Sequence, residues 1–233
     1  MKAYRPNVAI VTGAGRGIGR QVAIQLASRK ASVALASRTS SELIALEKEI
    51  RNAGGIALAI ATDVSIAAQV AQLVQETSER LGPVDILVNN AGVVEPSLVV
   101  DTKEESWDRV LDINLKSAFL CTRMVLPSMI QRHCGRIINV SSISGRLGTP
   151  RLASYCASKW GLIGLTKATA EEVRQHQVQV FAVCPGSVDT QMLQKGLPGA
   201  QPQMPPEAVA SAIVYLATEA PDAMTGGVID MFG

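Results

Sequence analysis

The amino-acid sequence predicts a doubly wound α/β fold, in which a seven-stranded parallel sheet is covered by helices on both faces. Short runs rich in β-branched residues alternate with longer segments of helical periodicity, which is the pattern of consecutive βαβ units. The runs are apolar throughout, as strands buried on both faces must be. No linker, repeat or low-complexity tract interrupts residues 1–233, so we expect a single domain.

The order of the predicted elements follows from the spacing of the apolar residues. Ile18, Val22 and Leu26 recur at helical spacing and predict the first helix, and about six helices are expected in all. The predicted strands are residues 8–12, 32–36, 56–61, 86–89, 136–140, 178–184 and, more weakly, 228–229.

The composition excludes several classes of protein. Hydrophobic residues make up 47% of the chain and aromatic residues only 3%, so the core is expected to be aliphatic. A net charge of +2 is too small to indicate binding to nucleic acid or to an anionic membrane surface. No stretch approaches the ~18 uninterrupted apolar residues of a transmembrane helix, and residues 1–6 lack the apolar run of a secretory signal.

The number and spacing of cysteines and histidines indicate whether a metal site or a disulfide bond is expected, and in which cellular compartment the protein works. The chain has two histidines, and its four cysteines form no C-x-x-C pair. We therefore predict no metal site, no disulfide bond, and a cytoplasmic protein with reduced thiols. The cysteines are Cys121, Cys134, Cys156 and Cys184.

A glycine-rich turn directly follows the first predicted strand and opens the first helix. Glycines in such a turn let backbone N–H groups approach a pyrophosphate, and the helix N-terminus adds a partial positive charge. A strand-to-helix turn without a ligand is the alternative, which the position in the first βαβ unit disfavours. After Thr12 the predicted dinucleotide-binding residues are Gly13, Gly15, Arg16, Gly17, Ile18 and Gly19.

The end of the second strand selects between the two nicotinamide dinucleotides. An NAD site usually places a carboxylate there to hold the ribose hydroxyls. This chain instead has Ser37 and Arg38, and a guanidinium can pair with a 2′-phosphate. Arg16 could reach the same phosphate, so the charges predict NADP(H). A solvated surface arginine remains the alternative for Arg38.

Four polar residues form the predicted catalytic constellation, namely Asn114, Ser142, Tyr155 and Lys159. Tyr155 and Lys159 are spaced i, i+4, so they share a helix face. At ~4 Å and an effective dielectric of ~20, a lysine charge favours the phenolate by roughly 4 kcal/mol before desolvation. This predicts a tyrosine pKa lowered by up to ~3 units, which suits a general acid near neutral pH. Ser142 follows the fifth strand and could hold a substrate oxygen.

The ordered motifs resemble those of the short-chain dehydrogenase/reductase family over essentially the whole chain. The resemblance implies a Rossmann-type domain and an oxidoreductase that moves a hydride between a nicotinamide and a carbonyl or alcohol. The matching segments are residues 12–19, Asp63 and Val64, residues 89–92, Asn114, Ser142, Tyr155 with Lys159, and residues 185–190.

The same resemblance implies roles that spacing does not show. Lys159 would also bind the nicotinamide ribose, and Asn114 would keep a helix open around a proton-relaying water. Asp63 could instead be a helix cap, and Asn114 a polar helix residue that faces solvent. The further cofactor-binding residues implied are Asp63 and Val64 at the adenine, Asn90, Ala91 and Gly92 at the ribose, and Pro185, Gly186, Val188 and Thr190 at the nicotinamide.

Within the family, residues 84–92, 135–140 and 161–167 most resemble 3-oxoacyl-[acyl-carrier-protein] reductases. Phe181 and the C-terminal residues 229–233 depart from that pattern, and the substrate-covering segment at about 186–206 is short and rich in proline and glycine. These departures leave the substrate open.

The sequence as a whole therefore predicts an NADPH-dependent carbonyl reductase acting on a 3-oxoacyl thioester, free or carrier-bound, or on a related small ketone. A non-catalytic NADP(H)-binding regulator or scaffold and an NAD-dependent alcohol dehydrogenase are the alternatives. Segments 103–132 and 154–175 resemble helices through which relatives associate, which implies a homo-oligomer, most simply a tetramer. The apolar residues Val209, Ile213, Val214 and Leu216 could belong to the core or to a second subunit contact.

Overall fold

A computed structural model describes residues 8–232, so the expectations for residues 1–6 and for Gly233 lie outside the described residues. Seven strands form one sheet in the order β3-β2-β1-β4-β5-β6-β7, and every neighbouring pair is parallel. The predicted fold class is confirmed. The strands are β1 (Val8–Thr12), β2 (Ser32–Ser37), β3 (Ile56–Ala61), β4 (Ile86–Asn89), β5 (Gly135–Val140), β6 (Val178–Pro185) and β7 (Val228–Met231).

Helices connect the strands and cover both faces of the sheet. The described chain has eight α-helices instead of about six, because short helices precede α5 and follow β6. Within residues 8–232, no helix has both the length and the apolar character needed to cross a bilayer. The helices are α1 (Gly17–Ser28), α2 (Ser40–Asn52), α3 (Ala67–Arg80), α4 (Glu104–Leu111), α5 (Ser117–Arg132), α6 (Ala153–Val173), α7 (Gln191–Gly196) and α8 (Pro206–Thr218).

Two aliphatic cores sandwich the sheet. Alternate residues of each strand enter opposite layers: in β1, Val11 joins the core beneath α1, α2 and α8, whereas Ile10 joins the core beneath α3, α5 and α6. The strands are therefore apolar at every position. Of the two alternatives for the apolar residues of α8, the core is correct, since Val209, Ile213 and Val214 are fully buried.

The sheet changes its direction of growth between β1 and β4. From β1 the chain adds β2 and β3 on one side, and from β4 it adds β5, β6 and β7 on the other. The connections on the two sides leave in opposite directions, so a crevice opens beyond the carboxyl ends of the strands. The segments after β1, β2, β4, β5 and β6 all converge on that edge.

Phe181 shows how tightly the core is filled, because it is fully buried in the middle of β6. We expect Phe181→Ala to lower the free energy of unfolding by about 3–5 kcal/mol through the cavity it leaves. Urea unfolding at one fixed protein concentration measures this change. The matched control is Phe232→Ala, whose ring is 59% exposed and whose loss should cost far less. Equal losses in the two variants would contradict this description of the core.

Candidate active site

A cavity of about 900 Å³ lies at the carboxyl edge of the sheet and brings most of the predicted site residues together. Two predicted residues, Gly19 and Asn114, lie behind its wall. The predicted residues that line it are Gly13, Gly15, Arg16, Gly17, Ile18, Ser37, Arg38, Asp63, Val64, Asn90, Ala91, Gly92, Ser142, Tyr155, Lys159, Pro185, Gly186, Val188 and Thr190.

The glycine turn after β1 is tied to the end of β4. Gly13 has a positive φ of 64°, and a Cβ there would come 3.0 Å from Ala91 Cα, so only glycine fits without strain. Asn90 Nδ2 donates to the carbonyl oxygens of Thr12 and Gly13 at 2.9 and 3.2 Å. The Thr12 hydroxyl accepts from the backbone amides of Asn90 and Ala91 at 3.0 and 3.1 Å. These hydrogen bonds hold the glycine turn in place independently of any ligand.

At the far end of the cavity, β2 delivers Ser37 and Arg38. The Ser37 hydroxyl is buried, and among the described residues it has no hydrogen-bond partner. A buried hydroxyl without a partner costs free energy, which a ligand oxygen would recover. Arg38 is exposed at the same wall. The donor set, an unpartnered hydroxyl beside a guanidinium, fits the ribose 2′-phosphate of NADP(H).

Two carboxylates face the arginines of this region. Arg16 Nη1 lies 3.7 Å from Glu42 Oε1 and also donates to Gln191 Oε1 at 3.0 Å. Burial alone would raise the pKa of Asp63, but hydrogen bonds from Ser65 and the charge of Arg38 lower it overall. The arginines are thus partly neutralised by the protein's own acids.

Asp63 does not cap a helix, so that alternative is wrong. Its Oδ1 accepts from the backbone N–H and the hydroxyl of Ser65 at 3.0 and 2.6 Å, and the N-cap of α3 is Ile66. The Asp63 side chain therefore shapes the turn after β3, where it lines the cavity together with Val64.

Three of the predicted catalytic residues, Ser142, Tyr155 and Lys159, lie close together on the cavity wall. Tyr155 and Lys159 lie on the first turns of α6, and the Lys159 ammonium stands 5.5 Å from the centre of the Tyr155 ring. Lys159 Nζ donates to the Val140 carbonyl oxygen at 2.8 Å, which fixes the ammonium at the end of β5. The Ser142 hydroxyl accepts from the Ser144 amide at 3.1 Å and interacts with the Tyr155 hydroxyl.

The expected lowering of the tyrosine pKa is wrong for this structure. Burial raises the pKa of Tyr155 to about 12, against a hydrogen bond with Ser142 that favours the phenolate. Burial also lowers the pKa of Lys159 to about 8. Tyr155 and Lys159 are only 9% and 4% exposed, so desolvation of each charged form outweighs their attraction at this separation. Tyr155 is therefore protonated at neutral pH.

Asn114 lies within a π-helical segment, Asp112–Lys116, between α4 and α5. Its Oδ1 accepts from the Val93 amide at 2.8 Å, and its Nδ2 donates to the Val93 carbonyl oxygen at 2.9 Å and to Ser158 Oγ at 3.0 Å. The side chain is 1% exposed, so the solvent-facing alternative is wrong. Asn114 instead joins the segment after β4 to α6, directly behind Lys159.

The loop after β6 forms the remaining wall. Thr190 caps α7 by accepting from the Leu193 amide at 3.3 Å, and its methyl group would lie 3.3 Å from a Cβ at Gly17. Val188 is buried and pairs with Met204 in an isolated parallel bridge. The covering segment thus contacts the glycine turn and contains one short helix, α7.

Sequence reasoning missed several residues of this site, and the contacts of three of them matter here. Thr12 was noted only as the start of the motif, yet its hydroxyl accepts from two backbone amides of the segment after β4. Ser158, fully buried, links Asn114 to the Tyr155 carbonyl oxygen, which Ser158 Oγ reaches at 2.7 Å. Glu42 lines the cavity from the first turn of α2. For Ser158, the i+3 spacing from Tyr155 was a signal; for Glu42, the sequence carries none.

Comparisons of this chain with known proteins agree on one family. The model of the family described as short chain dehydrogenase matches residues 7–200. A 3-oxoacyl-[acyl-carrier-protein] reductase of Synechocystis sp. is 39% identical, covering 94% of this chain and 92% of that protein. A reductase of the same name from Thermotoga maritima is 37% identical, covering 97% and 96%.

A solved structure agrees with these sequence relatives. A protein provisionally named gluconate dehydrogenase from Agrobacterium tumefaciens superposes with a TM-score of 0.91 at 32% identity, covering 97% of this chain and 94% of that one. The motifs, the fold and the relatives concur: this chain belongs to the short chain dehydrogenase family, whose members are oxidoreductases that use a nicotinamide cofactor.

Proposed function

We propose that this protein is an NADPH-dependent carbonyl reductase that acts on a 3-oxoacyl thioester or a related small ketone. The observation that carries the proposal is that Ser142, Tyr155 and Lys159 lie close together in the cavity that the glycine turn also lines. The bound nicotinamide would supply the hydride. A non-catalytic binding protein would not need a buried tyrosine and lysine at that point, at the desolvation cost they carry.

Each side chain has a distinct part in the proposed reaction. Tyr155, protonated at neutral pH, donates its proton to the carbonyl oxygen as that oxygen gains negative charge. Ser142 donates a hydrogen bond to the same oxygen and orients it. Lys159, held at the end of β5, stabilises the negative charge left on Tyr155. Asn114 is a positioning residue, because it fixes the segment behind Lys159 through Val93 and Ser158.

The choice of NADPH over NADH rests on the far end of the cavity. Ser37, Arg38 and Arg16 provide donors for a 2′-phosphate, and β2 ends without the acid that holds ribose hydroxyls in NAD sites. The glycine turn residues, with Asn90, Ala91 and Gly92, would hold the pyrophosphate and ribose. Pro185, Gly186, Val188 and Thr190 would contact the nicotinamide, and Asp63 with Val64 the adenine.

The substrate class rests on the relatives and on the covering segment. Two relatives that match nearly the full chain are named for 3-oxoacyl groups on a carrier protein. Here residues 186–206 form a short cover whose only described helix, α7, has six residues. A short cover leaves the cavity open on one side, which suits a substrate whose far end stays in solvent.

The proposal includes a homotetramer in the cytoplasm. Phe119 and Met124 on α5 and Trp160 on α6 are 45%, 39% and 54% exposed, although large apolar side chains are usually covered. These helices lie in the two segments expected to associate. Cys121 and Cys184 are buried free thiols, which is compatible with a reducing compartment.

Tyr155→Phe tests the chemistry. The variant should bind NADPH with nearly unchanged affinity and lose at least the ~10²-fold in turnover that a general acid contributes. Turnover is followed by NADPH absorbance with a 3-oxoacyl thioester and with a short ketone. Tyr215→Phe removes the same hydroxyl from an exposed site on α8 and should keep full activity. A Tyr155→Phe enzyme with wild-type turnover on its best substrate would mean that Tyr155 is not the acid.

The pH dependence of kcat tests the role of Lys159. Its pKa of about 8 means that it is charged below pH 8 and neutral above, so stabilisation of the developing phenolate is lost on the alkaline side. Turnover for carbonyl reduction should therefore be level below pH 8 and decline above it, with one apparent pKa that belongs to the Tyr155–Lys159 pair. Lys167→Met, on the exposed face of α6, should leave the profile unchanged. If turnover stays constant up to pH 10, this role of Lys159 is refuted.

Arg38→Asp tests the cofactor. The wild type should bind NADPH more tightly than NADH by about 2–3 kcal/mol, as charge-assisted hydrogen bonds to a phosphate allow. The substitution should narrow or reverse the preference, because it places a carboxylate where the phosphate would lie. Calorimetric titration gives both affinities, with Arg80→Asp, remote on α3, as the charge-matched control. Equal wild-type affinities for the two cofactors would rule out the NADPH assignment.

A further inference from the structure

Glu42 stands at the end of the cavity that carries the predicted phosphate-binding residues, although it belongs to none of the sequence motifs. It lies in the first turn of α2 and lines the cavity beside Ser37, Arg38 and Arg16. Its side chain folds over the glycine turn: a Cβ at Gly15 would overlap the Glu42 carboxylate and lie 3.0 Å from Glu42 Cβ. Glycine at position 15 therefore makes room for this acid as well as for a ligand.

The Glu42 carboxylate faces a cation that the proposed cofactor needs. Its Oε1 is 3.7 Å from Arg16 Nη1, at the long end of an ion pair, and its side chain is 34% exposed. No shorter polar contact to the Glu42 carboxylate is found among the described residues. The acid is thus close enough to Arg16 to reduce the positive potential around it.

We propose that Glu42 is a specificity-determining residue, a built-in counter-charge that weakens binding of the 2′-phosphate and so limits the preference for NADPH over NADH. The inference rests on the proposed function, since it assumes that Arg16 and Arg38 receive that phosphate. A carboxylate beside the phosphate raises the free energy of the NADPH complex by repulsion and by competition for Arg16. NADH brings no charge to this position, so its affinity is nearly independent of Glu42.

The arrangement differs from a carboxylate that binds ribose. Such an acid follows the second strand directly and accepts from the 2′- and 3′-hydroxyls. Glu42 is instead attached to α2, five positions beyond Ser37, and its nearest cation is the arginine of the glycine turn. A ribose-binding role would make Glu42 favour NADH through attraction, whereas the counter-charge acts on NADPH through repulsion. The two roles predict different results for the same variant, since removal of a ribose-binding acid lowers the NADH affinity, whereas removal of the counter-charge raises the NADPH affinity.

Glu42→Gln separates these possibilities, because it removes the charge and keeps the shape that packs over Gly15. We expect calorimetry on the purified protein to show an NADPH affinity that rises about fivefold, the upper range for one partly exposed charge pair. NADH affinity should change by less than about twofold. The fragment 2′,5′-ADP should follow NADPH, and 5′-AMP should follow NADH. The gain should shrink in roughly 0.5 M salt, where the Debye length falls to a few ångströms.

The matched control is Glu47→Gln, which removes the same charge from the same helix at a residue that pairs with Arg51 outside the cavity. It should leave all four affinities unchanged. If Glu42→Gln leaves the affinities for NADPH and 2′,5′-ADP unchanged while the wild type still prefers NADPH, the inference fails and the proposed function stands. A variant that loses NADH affinity instead shows a ribose-binding acid and also overturns the inference. Wild-type protein that binds NADH as tightly as NADPH overturns the proposed function itself.

Discussion

The parallel pairing of β1 with β4 is the constraint on which the rest of the site depends. The register places Val11 beside Val88, so the glycine turn after β1 and the segment after β4 leave the sheet side by side. Two backbone amides of that segment donate to the Thr12 hydroxyl. The Asn90 side chain in turn donates to the carbonyl oxygens of Thr12 and Gly13. Because the sheet grows away from this pair in both directions, the crevice opens here and at no other pair of the described strands.

Burial determines the protonation chemistry of the crevice more strongly than pairing does. A lysine one helical turn from a tyrosine invites the conclusion that the phenolate is favoured. Both groups are instead buried, and removing either charge from water costs more than their mutual attraction returns. The outcome is a tyrosine that is protonated at neutral pH and a lysine whose pKa lies near 8.

At the other end of the crevice, the two arginine side chains are exposed instead of buried. Arg16 and Arg38 are exposed, so water and salt screen their charges, and their charged forms carry little desolvation cost. Their effective charge is set by the acids that stand nearby, Glu42 and Asp63. Under the proposed function, the reacting groups are buried while the arginines that would bind the phosphate are screened and partly neutralised, so cofactor preference would depend on single surface residues.

The sequence by itself determined the fold class, six of the seven strands to within one residue at each end, and the motif residues that line the cavity. Strands buried on both faces must be apolar at every position, and a glycine turn directly after the first strand is typical of a dinucleotide-binding site. Both features are encoded in short, continuous stretches of the sequence. The weak last strand, predicted as 228–229, extends to Met231 because its pairing with β6 decides its length. The tertiary structure alone decided what depends on distant neighbours: the tyrosine pKa, the buried link from Asn114 through Ser158 to α6, and the approach of Glu42 to Arg16. Desolvation and charge pairing depend on three-dimensional distance, which spacing along the chain does not encode beyond one turn of helix.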